Sequence, residues 1–249
     1  MEEQISFRNS QGLTLQGTLA ALHKPSHKII IMSHGFMADR EQRGIFTEAA
    51  EAFRKRGFAS FRFDFSGSGQ SESTGISVSK HVDDLNCALD LMLTKGFNAV
   101  GFLGYSLGAL YSLLSYRSDV VKALVLWAPV TASKVPTKLK DESVQKELNT
   151  KGYTTLTNKE GKNFVIEKAY LKERLAVNQK KILAPLTCPV LIIHGRDDKT
   201  VPIEYSYDAE QILSPESRLW VIEECDHSFH KYEDILLNLS EQWFEKHLR

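Results

Sequence analysis

The chain has 249 residues, enough for one large domain or two small ones, and α/β folds of this size commonly form one. Apolar residues make up 42% and charged residues 25%, an ordinary globular balance that sets disorder aside. Thirty-one basic residues match thirty-one acidic ones without a basic cluster, so neither nucleic acid nor an anionic membrane surface is favoured as a partner.

The N-terminus, MEEQISFRNS, is acidic and lacks the apolar run of a leader, so secretion is not indicated. Cys87, Cys188 and Cys225 are odd in number and widely spaced, which fits neither a disulfide framework nor a zinc pattern. The cytoplasm is the expected compartment. Ile5–Phe7 and Leu13–Leu19 read as paired strands around a turn at Asn9–Gly12, and Lys28–Ser33 (KIIIMS) as a buried strand. Glu41–Arg56 places Ile45, Phe46, Ala49 and Phe53 at helical spacing, with Gly57 as its stop. Phe58–Phe65 reads as a strand, and Ser79–Lys95 as a helix stopped by Gly96.

Gly96–Tyr116, GFNAVGFLGYSLGALYSLLSY, is twenty-one residues without a charge, long enough to cross a bilayer. Its glycines argue otherwise. Ala99–Leu103 suits a buried strand, while Leu107, Leu110, Tyr111 and Leu114 recur at helical spacing after Ser106. Between them stands Gly104-Tyr105-Ser106-Leu107-Gly108, the G-x-S-x-G pattern of a sharp strand-to-helix turn that presents a serine. No second candidate span and no one-sided basic flank support a membrane segment.

Lys122–Trp127, Cys188–His194 and Arg218–Glu223 read as further strands, and Ile203–Leu213 and Tyr232–Leu248 as helices. Strands alternating with helices predict a largely parallel sheet covered on both faces. The segment between Pro129 and Pro185 breaks that rhythm with a helical patch, Lys138–Leu148, and a hairpin turning at Asn158–Gly161. Loops this long inside a compact domain are usually functional or disordered, and Tyr153, Phe164 and Tyr170 argue for order. Residues 133–184 are therefore expected to form a lid inserted in a single 1–249 domain. Its charged stretches, KLKDES and EKAYLKER, read as solvated helix faces.

A serine becomes a nucleophile when a base takes its proton and a third group orients that base. Asp197-Asp198 follows the Cys188–His194 strand, and His227 follows the Arg218–Glu223 strand. The order serine, acid, histidine is that of α/β-hydrolases. A G-x-S-x-G alone is weak, and a histidine among eight is more often structural. All three at the carboxyl ends of strands, where open parallel sheets bind ligands, form a stronger signal. The expected catalytic residues are Ser106, His227 and one of the adjacent Asp197 and Asp198, with the backbone amides of Leu107 and Phe36 as the oxyanion donors. His34 and His230 are expected to stand outside the chemistry.

HGF at residues 34–36, FRFDFSGSGQSES, GYSLG, HGRDDKTVP and DHSF resemble, over essentially the whole chain, the blocks of the serine α/β-hydrolase superfamily. Capped esterases of the feruloyl (cinnamoyl) type are the nearest suggestion. The elbow departs from them in reading GYSLGA where GHSxGG is more usual. The resemblance implies an eight-stranded, mostly parallel sheet, no cofactor and no metal, and ester hydrolysis through an acyl-enzyme. It implies Asp198 as the acid, three residues after Gly195 and four before Pro202, and a loop-shaping role for Asp64, Gly67 and Gly69. The expected function is a carboxylesterase for small or aromatic acyl esters, with a small-molecule ester as partner and a homodimer left open. The rivals are a thioesterase or acyltransferase of the same fold and a non-catalytic ligand-binding protein on the same scaffold.

Overall fold

The computed structural model describes residues 2–22 and 26–249. In chain order the first half comprises β1 (Glu2–Arg8), β2 (Thr14–Ala20), β3 (Lys28–Ser33), α1 (Ile45–Lys55), β4 (Ala59–Phe63), α2 (Val78–Thr94), β5 (Ala99–Tyr105), α3 (Leu107–Leu114) and β6 (Val121–Trp127). The inserted segment holds α4 (Glu142–Lys151), β7 (Tyr153–Thr157), β8 (Asn163–Glu167), α5 (Lys168–Leu175) and α6 (Gln179–Leu183). The chain then completes the sheet with β9 (Val190–Gly195), α7 (Glu204–Glu210), β10 (Arg218–Ile222) and α8 (Glu233–His247).

Eight strands form one sheet in the order β1-β2-β4-β3-β5-β6-β9-β10, parallel from β4 to β10 and antiparallel where β2 meets β1 and β4. Both faces are covered, which explains the continuous apolar runs of the central strands. In β3, Ile29 and Ile31 join the core beneath α2 and α3, while Ile30 and Met32 join the core beneath α1 and α8. That split follows the two-residue period of a strand. The 96–116 stretch is strand, turn and helix, and no helix among the described residues is long and apolar enough to cross a membrane.

Two local readings change. Residues 41–44 do not extend α1; Gln42–Gly44 is a single tight turn in which Gln42 and Arg43 take positive φ (44° and 60°). The Gln42 side chain is turned inward there, accepting from the Gly35 amide at 2.8 Å. The EKAYLKER stretch is likewise no simple solvated face. Tyr170 and Arg174 are buried, and the Glu173 carboxylate accepts from the Val78 and Ser79 amides (2.6 and 3.2 Å). An anion placed on those free amides stabilises the start of α2.

The inserted segment is fastened to the body at several points. Ile76 pairs with the β8 backbone, donating to Val165 O (2.8 Å) and accepting from Glu167 N (3.1 Å). At the hairpin tip, Asn158 Nδ2 donates to Met37 O (3.1 Å) and Lys162 pairs with Asp39 (3.1 Å).

Close packing of α3 on the sheet depends on Gly108, where a Cβ would stand 2.0 Å from the Ser33 carbonyl oxygen. The obstacle is backbone, so it cannot rotate away. Gly108→Ala is expected to destabilise the fold by about 1–3 kcal/mol, the range for overpacking. The check is the urea midpoint at unchanged slope. A midpoint equal to that of the parent would show that α3 is free to shift.

Candidate active site

β5 ends at Tyr105 and α3 starts at Leu107, so the whole chain reversal falls on Ser106, with φ 55° and ψ −111°. A non-glycine residue there costs about 1–3 kcal/mol and persists only where its surroundings over-determine it. They do so here. The Ser106 amide donates to Trp127 O (2.8 Å), and its carbonyl accepts from Val130 N (3.0 Å) and Ala109 N (3.2 Å). The turn thus lifts the hydroxyl out of the sheet's carboxyl edge toward the loops after β9 and β10.

Those loops bring His227 and Asp198 to it. His227 Nε2 lies 3.0 Å from Ser106 Oγ, and its Nδ1 lies 2.6 Å from Asp198 Oδ2. With Nδ1–H donating to the carboxylate, Nε2 is left as the acceptor for the serine proton. Asp198 Oδ1 accepts from the amides of Thr200 and Val201 (both 2.8 Å), which fixes the carboxylate plane. Burial opposes its ionised form, but the hydrogen bonds from His194 and His227 outweigh that and hold its carboxyl far below the usual range. Asp197, its neighbour, is exposed and enters the structure through its amide, which donates to Cys225 O (2.9 Å).

Sequence reasoning missed His194. It is fully buried at the end of β9; its Nε2 donates to Asp198 Oδ2 (3.1 Å) and Val201 O (3.0 Å), and its Nδ1 accepts from Ser206 Oγ (2.6 Å). Both partners of Nε2 are acceptors, which places a proton on that nitrogen. Its sequence signal was a histidine closing a buried strand four residues before the acid. Tyr105 was missed too. Its ring stacks on His227 (5.5 Å, 22°), and its hydroxyl donates to the His227 carbonyl (2.5 Å).

Leu107 opens α3, where its amide has no carbonyl a turn earlier to pair with. Phe36 and Leu107 line the same cavity wall as Ser106. The loop carrying Phe36 is held from both sides. Gln42 takes the Gly35 amide, and buried His34 bonds Gly35 O (2.9 Å) through Nδ1 while Nε2 accepts from Phe65 N (3.2 Å). Burial pulls the His34 pKa down, keeping a neutral linker rather than a second base. Asp64 accepts from the Arg40 and Gln70 amides (2.7 and 2.9 Å) and pairs with the Arg40 guanidinium (2.5 Å). At Gly69 a Cβ would meet that carboxylate at 2.2 Å, which ties the loop after β4 to the one after β3. His230 is exposed and lies 3.6 Å from Glu233, away from the serine.

The cavity over Ser106 has a volume of about 750 Å³ and is roofed by the inserted segment. Phe36 stacks on Tyr170 (5.2 Å, 18°), and with Met37, Val130 and Phe164 these rings form an apolar wall. Such a chamber holds a small organic ligand. A smaller depression of about 300 Å³, near Gly75 and Tyr153, shares no lining residue with the cavity over Ser106.

The arrangement can deprotonate a serine, steady the resulting imidazolium and offer amides to an oxyanion. If it does, Asp198→Asn leaves the fold intact and lowers turnover of an activated ester by about 10⁴. Asp197→Asn costs no more than about tenfold, roughly 1.4 kcal/mol of barrier. Steady-state kinetics on the two variants separates them, and the reverse order would make Asp197 the acid.

Comparison with known proteins bears on the fold and the family. Residues 24–184 match the family described as serine aminopeptidase, S33, and residues 142–234 match the alpha/beta hydrolase fold. Mouse palmitoyl-protein thioesterase ABHD10, mitochondrial, is 32% identical over 218 residues, covering 84% of this chain and 71% of that protein. The structure of mouse alpha/beta hydrolase domain-containing protein 10 superposes with a TM-score of 0.75 at 27% identity, covering 98% of this chain and 97% of that one. Est1E from Butyrivibrio proteoclasticus, solved with ferulic acid bound, shares the fold at a TM-score of 0.79 and 19% identity, covering 97% of this chain and 98% of its own. The chain belongs to the α/β-hydrolase superfamily, within the family described as serine aminopeptidase, S33.

Proposed function

We propose that the chain is a serine carboxylesterase for small or aromatic acyl esters, working through an acyl-enzyme. The observation that carries this reading is the continuous hydrogen-bond line from Ser106 Oγ through His227 to Asp198, set in the wall of the cavity. In the first half-reaction His227 Nε2 takes the Ser106 proton as Oγ bonds to the acyl carbon. The amides of Leu107 and Phe36 receive the negative oxygen. Collapse breaks the bond to the leaving atom, which takes the proton from the imidazolium. Water then repeats the sequence against the acyl-enzyme and frees Ser106. The apolar wall of Phe36, Phe164 and Tyr170 suits a compact or aromatic acyl group, which is the ground for a feruloyl-type preference. Three unpaired thiols fit a reducing cytoplasm as the compartment.

A thioesterase is the second reading. It is favoured by the relative at 32% identity, which is named a palmitoyl-protein thioesterase. Peptidase action is less suited, because binding a substrate amine needs a free acidic anchor. Asp39 and Glu41 in the cavity are already paired with Lys162 and with Arg62 and Arg40, and the remaining carboxylate, Glu160, is exposed on the hairpin turn.

A panel of p-nitrophenyl esters, hydroxycinnamate methyl esters and acyl-CoAs tests the reading. Esters are expected to be turned over with a preference for short or aromatic acyl groups, and Ser106→Ala to remove the activity. Preference for acyl-CoA over every ester would select the thioesterase instead. Absence of turnover on all three classes would favour a non-catalytic binding protein.

Residues 133–184 are read as a lid that governs substrate choice more than chemistry. Shortening the 158–161 hairpin turn to a glycine turn, in a variant with an unchanged circular dichroism spectrum, is expected to redistribute activity among the esters. An unchanged specificity profile would count against the lid reading.

A further inference from the structure

The cavity around Ser106 is cationic in a chain that has no net charge. Arg43, Lys134, Lys138, Lys159, Arg174 and Lys199 line it, and none of them has a carboxylate partner among the described residues. Only Lys162 does, through Asp39. Of the carboxylates in the same wall, Asp39 is used there and Glu41 is paired with Arg62 (3.0 Å) and Arg40 (3.5 Å), which leaves Glu160. A concave surface with one excess sign concentrates ligands of the opposite sign.

Two of these cations are built into the wall. Lys134 is half-buried, and its ammonium donates to Thr200 O (2.7 Å), which leaves two of its three N–H groups for a ligand. Arg174 is 2% exposed, and its Nη2 donates to the carbonyls of Ala132 (3.3 Å) and Lys134 (2.8 Å). Its Nε and Nη1 make no full hydrogen bond within the protein, and the neighbouring Tyr170 hydroxyl interacts with the guanidinium without supplying a counter-charge. A buried cation without a counter-charge is costly, so a cavity that keeps one is suited to a ligand that brings the anion.

Position assigns that anion to one half of the substrate. Lys199 directly follows Asp198 on the loop that orients His227, and the Lys134 ammonium is bonded to that loop at Thr200. On the ester-hydrolase reading, His227 Nε2 hands its proton to the departing atom, so groups on this side face the leaving group. The aromatic lining, Phe36, Phe164 and Tyr170, is left to the acyl group. We propose that Lys134 and Lys199, backed by Arg174, form an anion subsite for a carboxylate or phosphate carried by the alcohol or thiol that leaves. The inference rests on the reading of Ser106 as nucleophile and narrows its substrates to esters or thioesters with an anionic leaving group.

The test compares matched substrates that differ in that charge. One pair is para-butyryloxybenzoate against para-butyryloxybenzamide, for a carboxylate. The other is butyryl-CoA against butyryl-pantetheine, for phosphate. At low ionic strength the anionic member of at least one pair is expected to have a kcat/KM about tenfold higher or more, and the ratio to shrink as salt screens the subsite. The pair that shows the preference identifies the source of the anion. Lys199→Met, and more fully Lys134→Met with Lys199→Met, are expected to bring the ratio toward one. Lys181→Met, an exposed lysine outside the cavity, should keep it. Because the readout is a ratio, a general loss of activity does not imitate the effect. Ratios near one in both pairs, or a preference that survives Lys199→Met and the double variant alike, overturn the subsite while turnover of the neutral members keeps the hydrolase reading. Turnover of neither member, with Ser106 inert to a phosphonate, overturns the hydrolase reading and the subsite with it.

Discussion

The backbone of Ser106 is the constraint on which the rest of the structure depends. Its φ of 55° is unfavourable for any side chain, and three main-chain hydrogen bonds, to Trp127, Val130 and Ala109, hold it there. They tie the turn to the end of β6 and the first turn of α3. The sheet therefore supplies the free energy that keeps the hydroxyl raised. Gly108 makes this compatible with packing, since the α3 backbone rests against the Ser33 and His34 carbonyls where no Cβ fits. The same approach brings the loop after β3, with Phe36, against the serine.

Electrostatics completes what geometry starts. Asp198 is buried, and an isolated carboxylate in that position would be protonated or displaced. Four donors, from His227, His194 and the amides of Thr200 and Val201, keep it ionised and in one orientation. His194 matters because its Nε2 proton shares the Oδ2 atom with His227, so a fully buried ring limits where that oxygen can go. The cavity above is lined by both uncompensated cations and aromatic rings. A bound substrate would thus meet two different environments within one chamber of about 750 Å³.

Much of the framework was legible because strands buried on both faces announce themselves as uninterrupted apolar runs. KIIIMS gave β3 to the residue, and the elbow strand ran two residues further than Ala99–Leu103. The juxtaposition of Ser106, Asp198 and His227 was legible because each follows a strand at the edge where ligands bind. What stayed hidden depends on side chains that act across the fold. Gln42 turns inward to hold the Gly35 amide, a long-range demand that outweighs the helical spacing of residues 41–44. Arg174 and Glu173 look solvated in EKAYLKER, yet one is buried within the inserted segment and the other caps α2. Charge alone does not say which residues a fold will bury. It takes the partner to reveal that.

The central claim is that Ser106, strained and aligned with His227, is the nucleophile. Reaction with a fluorophosphonate followed by peptide mass spectrometry tests it most directly. The account predicts one adduct per chain, carried by the peptide containing Ser106 and lost in Ser106→Ala. An adduct on any other serine, or a folded protein that takes up no label, would contradict it.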